Sequence, residues 1–126
     1  MRRIKYLLLA GLLAVGGLTG CQKKEVHPGD VKGYEEGEEY LSIWVHSIED
    51  TPEGQVYRES VESFNEKYNG KYFADIEFIP RNDSGGGYSD KINSSVLSGD
   101  LPDVLTLDGP NVAAYAKNNI IQHWRR

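Results

Sequence analysis

Residues 40–80 read YLSIWVHSIEDTPEGQVYRESVESFNEKYNGKYFADIEFIP, and their order sets the architecture. The run from Tyr40 to Ser47 mixes β-branched, aromatic and apolar side chains over strand length, without clean alternation. That composition suits a strand covered on both faces, as in a parallel sheet. Asp50-Thr51-Pro52-Glu53 then signals a helix start, with a capping Asp, a proline in the first turn and an acid three residues after the cap. Tyr57, Val61, Phe64 and Tyr68 recur at spacings of four, three and four, which stacks them on one helical face. Asn69-Gly70 stops this helix, and Tyr72 to Pro80 reads as a second strand ended by its proline.

The unit repeats in kind. Arg81 to Gly87 is a loop whose Gly85-Gly86-Gly87 run is the most permissive backbone in the chain. Tyr88, Ile92, Val96 and Leu97 mark a second helix ended by Gly99, and Leu101-Pro102-Asp103 turns the chain into a third strand, Val104 to Leu107. Asp108 can cap a third helix, with Pro110 in its first turn and Val112, Tyr115 and Ala116 on its apolar side. Strand–helix alternation three times over, with short connections, predicts an α/β fold, β-α-β-α-β-α around a parallel sheet. Right-handed crossovers then bring all three strand C-terminal ends to one edge. Three helices divided between two faces leave apolar surface open, so marginal stability is expected.

Upstream the material changes. Arg2, Arg3 and Lys5 precede an uncharged stretch from Tyr6 to Leu18, then small residues and Cys21. That is the layout of a secretory signal peptide over residues 1–20, too short in its apolar core for the roughly 20 residues a membrane span needs. Cys21 is the only cysteine, which excludes an intramolecular disulfide and leaves an intermolecular or chemical role. Residues 21–39, opening QKKEVHPGDVKGYEEGEE after the cysteine, are rich in Gly and charge, with Val26, Val31 and Tyr34 as their only large apolar residues. They read as a disordered, flexible stalk, with His27 solvated in it. The chain carries 14 Lys+Arg against 19 Asp+Glu, net −5, and loses three basic residues but no acid with the leader. Such a surface repels nucleic acid and anionic head groups. No nucleic-acid partner is expected.

Leu18-Thr19-Gly20-Cys21 resembles the bacterial lipobox, whose cysteine is acylated and becomes the new N-terminus. That resemblance implies lipidation of Cys21 and attachment at the extracytoplasmic face of the cell membrane. One acyl chain holds marginally and two hold stably, at about 0.8 kcal/mol per buried methylene. Residues 98–121, SGDLPDVLTLDGPNVAAYAKNNII, resemble the N-terminal lobe of extracellular solute-binding proteins of ABC importers, the carbohydrate-binding group in particular. The matching elements are Ser98-Gly99-Asp100-Leu101-Pro102-Asp103-Val104 and Ala114-Tyr115-Ala116-Lys117, with the first strand, Phe64-Asn65 and the lipobox in the right order. The resemblance covers roughly residues 40–121. It implies that residues 40–126 form a partial N-terminal lobe of the periplasmic-binding-protein type II fold. It further implies a carbohydrate ligand in the intact protein and ABC permease subunits as partners, with no chemistry performed and no cofactor.

Open α/β sheets take ligands beyond the carboxyl ends of their strands, where strand order reverses. His46-Ser47, Arg81 to Tyr88, and Asp108-Gly109-Pro110 lie there in sequence. Asn82, Asp83, Ser84 and Asp108 supply carboxylates, amide and hydroxyl for a sugar, and Tyr88 or Trp44 an aromatic face; His46 and Ser47 complete the candidates. Trp44, inside a strand, reads as core more readily than as platform, Asp108 also as a helix cap, and the glycines as a flexible loop or an anion nest. A His46–Asp83 acid–base pair has nothing in the sequence to bring it together, so no catalytic residue is assigned. Spacings such as HExxH or paired cysteines are missing, so no metal site is assigned either.

Relatives of this type have two lobes closing on the ligand, and residues 40–126 suffice for the opening part of one. A fragment of that kind is expected to bind sugar weakly or not at all. The resemblance implies a continuation with a polar residue, Pro, Leu and acidic residues. The codons CAG-CCA-TTG-GAG-GAG for Gln-Pro-Leu-Glu-Glu, on losing one C, read Gln-His-Trp-Arg and then Arg or Ser. In the end Gln122-His123-Trp124-Arg125-Arg126 (residues 122–126) a frameshift from His123 onward is therefore the expectation. The alternative is a short surface lipoprotein acting as a protein-interaction module. In a bacterial host fed an alkyne fatty acid, the chain is expected to take up the label and sediment with membranes. Cys21→Ser should abolish both, and a labelled serine variant would exclude lipidation at this position.

Overall fold

The computed structural model of the protein describes residues 30–81 and 86–122. Three strands and three helices alternate: β1 (Glu39–Val45), α1 (Pro52–Tyr68), β2 (Tyr72–Phe78), α2 (Gly87–Ser98), β3 (Val104–Leu105) and α3 (Gly109–Lys117). They form an α/β unit around one parallel sheet of order β2-β1-β3. β1 and β2 pair along their whole length, Glu39 opposite Tyr72 through Val45 opposite Phe78. β3 pairs with β1 only at Ile43–Val104 and Trp44–Leu105. The third strand is shorter than the Val104–Leu107 run because the chain leaves the ladder after the Thr106 N–H, which reaches the Trp44 carbonyl at 3.0 Å, to enter α3.

Strand alternation divides the sheet into two faces. Arg58 of α1 lies over the Phe78 ring, 5.5 Å from its centroid, so α1 packs along β2 on the face that Phe78 shares with Ala74 and Ile76. Lys91 of α2 lies over Trp44 and pairs with Glu77, which puts α2 on the opposite face. The buried apolar residues are Val45, Phe73, Ala74, Tyr88 and Ile92, a small core drawn from both layers. In α2, Tyr88, Ile92 and Ser95 point inward at helical spacing.

Helix α1 starts one residue later than its sequence signal. The N-cap is Thr51, not Asp50: Thr51 Oγ1 accepts the Gly54 N–H at 3.1 Å and donates to the Ile48 carbonyl at 2.7 Å. Glu53 turns instead to the Ser47 hydroxyl, 3.2 Å away. The predicted inward face of Tyr57, Val61, Phe64 and Tyr68 is half-buried at best, Tyr68 being exposed. The one buried position of α1 is Gly54. Further along, Asn65 Oδ1 accepts the Ala74 N–H at 2.7 Å and Asn65 Nδ2 donates to the Ala74 carbonyl at 2.9 Å. One side-chain amide thereby stands in for a neighbouring strand on the outer edge of β2.

Two expectations need correction. The folded part begins before Tyr40: Tyr34 meets Tyr40 and Phe73 edge-on at 5.7 and 5.9 Å. Glu38, buried, accepts the backbone N–H groups of Gly70 at 2.8 Å and Glu35 at 2.9 Å. The stalk assigned to residues 21–39 therefore cannot extend through Glu38; its portion up to residue 29, with Cys21 and His27, lies outside the described residues, as does the tail from residue 123. In α3, the expected apolar side is at most half covered among the described residues, Tyr115 and Ala116 being half-buried and Val112 exposed. The helix buries no residue, Val112 is 40% exposed, and the Tyr115 hydroxyl reaches Asn93 Oδ1 at 3.1 Å.

A Cβ at Gly54 would lie 2.2 Å from the Ile48 carbonyl oxygen and 2.6 Å from that of Glu49, both backbone atoms that cannot swing aside. Gly54→Ala is therefore expected to cost about 1–3 kcal/mol, read as a lowered urea midpoint. An unchanged midpoint would mean that α1 does not seat this closely on the loop.

Candidate functional site

The order β2-β1-β3 reverses direction at β1, so the crevice that open α/β sheets offer lies at the carboxyl ends of β1 and β3. His46 follows β1, Thr106 follows β3, and Tyr88 comes from the first turn of α2. His46 Nδ1 lies 2.9 Å from Thr106 Oγ1, and the His46 backbone N–H donates to the same oxygen at 3.1 Å. Thr106 Oγ1 donates to the Tyr88 hydroxyl at 3.3 Å, and the Tyr88 hydroxyl donates to the Trp44 carbonyl at 3.0 Å. The His46 and Tyr88 rings lie 5.5 Å apart.

Beyond them runs an ion pair. Arg81 Nη2 donates to both carboxylate oxygens of Asp108, at 2.7 and 2.6 Å. Arg81 follows β2 and Asp108 follows β3, with β1 between those strands, so the pair links the two outer loops past the end of the central strand. Both side chains are about half exposed, and the contact contributes about 0–1 kcal/mol to stability. Its effect is positional: each partner holds the other at the crevice and cancels its charge.

The sequence candidates separate on this geometry. His46 and Asp108 stand at the crevice. Asp108 occupies the N-cap position of α3 but makes no side-chain cap bond; its carboxylate is committed to Arg81 instead. Tyr88 is 5% exposed, so its ring is packed and only its hydroxyl enters the network. One face of the Trp44 ring is taken by the Lys91 ammonium, 4.3 Å from its centroid, which pairs with Glu77 beside it. Ser47 is buried against Glu53 and fixes the β1–α1 loop. Asn82, Asp83 and Ser84 lie outside the described residues, and with Asp83 so does any pairing with His46. Gly86 is the N-cap of α2 and Gly87 its first residue, so the glycine run leads straight into the helix.

Thr106, Arg81, Lys91 and Glu77 had not been singled out as site residues. Thr106 offered a weak signal, a lone hydroxyl in the apolar run Val-Leu-Thr-Leu at the end of a strand. The others are surface charges in sequence, and their partners lie 14 to 27 positions away. Among the described residues, no group of three or more His, Cys, Asp or Glu is placed to hold a metal ion, and no helix is long and apolar enough to cross a membrane. Comparison with protein-family models, curated proteins and solved structures finds no match for the chain.

Burial pushes the Tyr88 phenol above its ordinary value, and the Thr106 hydrogen bond offsets part of the shift. Burial, and then the Asp75 carboxylate that accepts its proton at 2.6 Å, raises the Tyr40 phenol likewise. Both shifts favour the neutral phenol in the fold. Their contribution to stability is therefore complete below pH about 10 and is lost as pH rises through the folded-state values. Urea midpoints are expected to be flat from pH 8 to about 10 and to fall beyond it. Tyr88→Phe should lower the neutral plateau and reduce the alkaline slope; an unchanged slope would remove Tyr88 from this account.

Proposed function

We propose that the chain is the extracytoplasmic solute-binding component of an ABC importer, lipid-anchored at Cys21, with carbohydrate as the ligand and the ABC permease subunits as its partners. One observation carries the reading. The parallel β2-β1-β3 order brings His46, Thr106 and the Arg81–Asp108 pair to the single edge where such sheets take ligands. Among the described groups there, Arg81 and Asp108 cancel each other's charge and the hydroxyl and imidazole can exchange hydrogen bonds with hydroxyls, which suits an uncharged polyol. The finer assignment, a partial N-terminal lobe of the periplasmic-binding-protein type II fold, is supported by the Ser98–Val104 and Ala114–Lys117 elements together with that strand order. Binding and delivery require no bond to be made or broken.

The second reading, a surface lipoprotein docking a protein partner, is favoured by apolar side chains left in the open. Leu97 is 89% exposed and Val104 53%. The two readings part in one experiment. The gene is read past codon 122 in all three frames, and the chain extended by any continuing frame is heated with a panel of neutral di- and trisaccharides. Solute binding predicts a ligand-dependent rise in melting temperature, equivalent to about 2.7 kcal/mol at a hundredfold excess over Kd, and its loss in Asp108→Ala. No continuing frame, or no rise with any saccharide, overturns solute binding in favour of partner docking.

A further inference from the structure

The hydrogen bonds at the strand ends form one chain, and its direction sets where their protons lie. The Trp44 carbonyl accepts the Thr106 N–H and the Tyr88 O–H, each at 3.0 Å. A carbonyl only accepts, so the single phenolic proton of Tyr88 is committed there. The 3.3 Å contact between Thr106 Oγ1 and the Tyr88 hydroxyl then requires Thr106 to donate. A threonine hydroxyl has one proton and two lone pairs. With the proton spent on Tyr88, both lone pairs remain for His46: one takes the backbone N–H at 3.1 Å and the other faces Nδ1 at 2.9 Å. Nδ1 must therefore carry a hydrogen.

A neutral imidazole protonated at Nδ1 presents a bare lone pair at Nε2. Among the described residues, Nε2 of His46 makes no hydrogen bond. We infer that Thr106 and Tyr88 are positioning residues that lock neutral His46 in the Nδ1–H tautomer, making Nε2 a fixed acceptor for a ligand hydroxyl at the strand edge. The ligand half rests on the solute-binding reading, whereas the tautomer half does not. The consequence is polarity of recognition: this ring accepts from a donor and offers nothing to a carbonyl or carboxylate. Neither positioning residue needs to touch the ligand.

The test reads the tautomer directly, on the full chain labelled with nitrogen-15, by long-range proton–nitrogen correlation at alkaline pH where imidazoles are neutral. The His46 signals are assigned by their loss in His46→Gln. The wild-type chain is expected to show the Nδ1–H pattern, and Thr106→Ser to keep it. Thr106→Val should release the ring to a mixture of tautomers. Tyr88→Phe is the discriminating variant: it removes the oxygen that takes the Thr106 proton, freeing that proton for Nδ1, so the ring is expected to move to the Nε2–H form. A wild-type Nε2–H pattern, or no change in Thr106→Val or Tyr88→Phe, overturns the inference. Should no saccharide bind, the wild-type and Thr106→Ser spectra still decide the tautomer, so the two failures stay distinct.

Discussion

Among the described residues, β1 is the one strand paired on both edges, and the fold depends on how its β3-facing edge is satisfied. On the β2 side the ladder is long and made by backbone alone. On the other side β3 supplies two residues, too few for the length of β1, and side chains complete the ladder at both ends. The Ser42 N–H goes to the Asp103 carboxylate at 2.9 Å, and the Ser42 hydroxyl exchanges bonds with the Asp103 side chain and backbone N–H. At the far end the His46 N–H goes to the Thr106 hydroxyl. A buried or half-buried donor left unpaired costs about 1–3 kcal/mol, so Asp103 and Thr106 each extend a short strand where a longer one would otherwise be needed.

This arrangement explains why strand order and site are one problem. Because Thr106 pairs the end of β1 with its hydroxyl, the same atom stands beside the imidazole of His46 and the phenol of Tyr88. The network at the crevice is thus the last rung of the ladder, and the rigidity of the central strand is passed to it without any loop intervening. Arg81 and Asp108, by contrast, come from connections and meet through a half-exposed, hydrogen-bonded ion pair.

Much of this was legible in sequence, and the parts that were not share a cause. Periodicity and the stop signals at Asn69-Gly70 and Gly99 located the elements because they are local: Gly99 adopts φ of +82° and its N–H returns to Ser95, a conformation that favours glycine over any side chain. The capping residue was missed by one position because Asp50 and Thr51 are both good caps, and only the path of the chain around Ile48 chooses between them. Tyr88 read as a candidate sugar platform, and Trp44 as platform or core, because aromatic residues near strand ends carry no mark of whether a helix lies over them. The Pro102-Asp103-Val104 and Phe64-Asn65 elements were recognisable as patterns, but their work is structural. Asp103 clasps β1 and Asn65 covers Ala74, contacts between positions 61 and 9 residues apart that only folding reveals.

The staple at Glu38 has a mechanical consequence. Its carboxylate binds the turn after α1, and the chain upstream of it leaves from the amino end of β1, with the crevice at the opposite end. Tension applied along the upstream chain is therefore borne by Glu38, Tyr34 and the first rungs between Glu39 and Lys71, in shear against the neighbouring strand. That load enters the sheet at the end opposite His46, Thr106 and the Arg81–Asp108 pair, so the rungs nearest the leading end take the strain first.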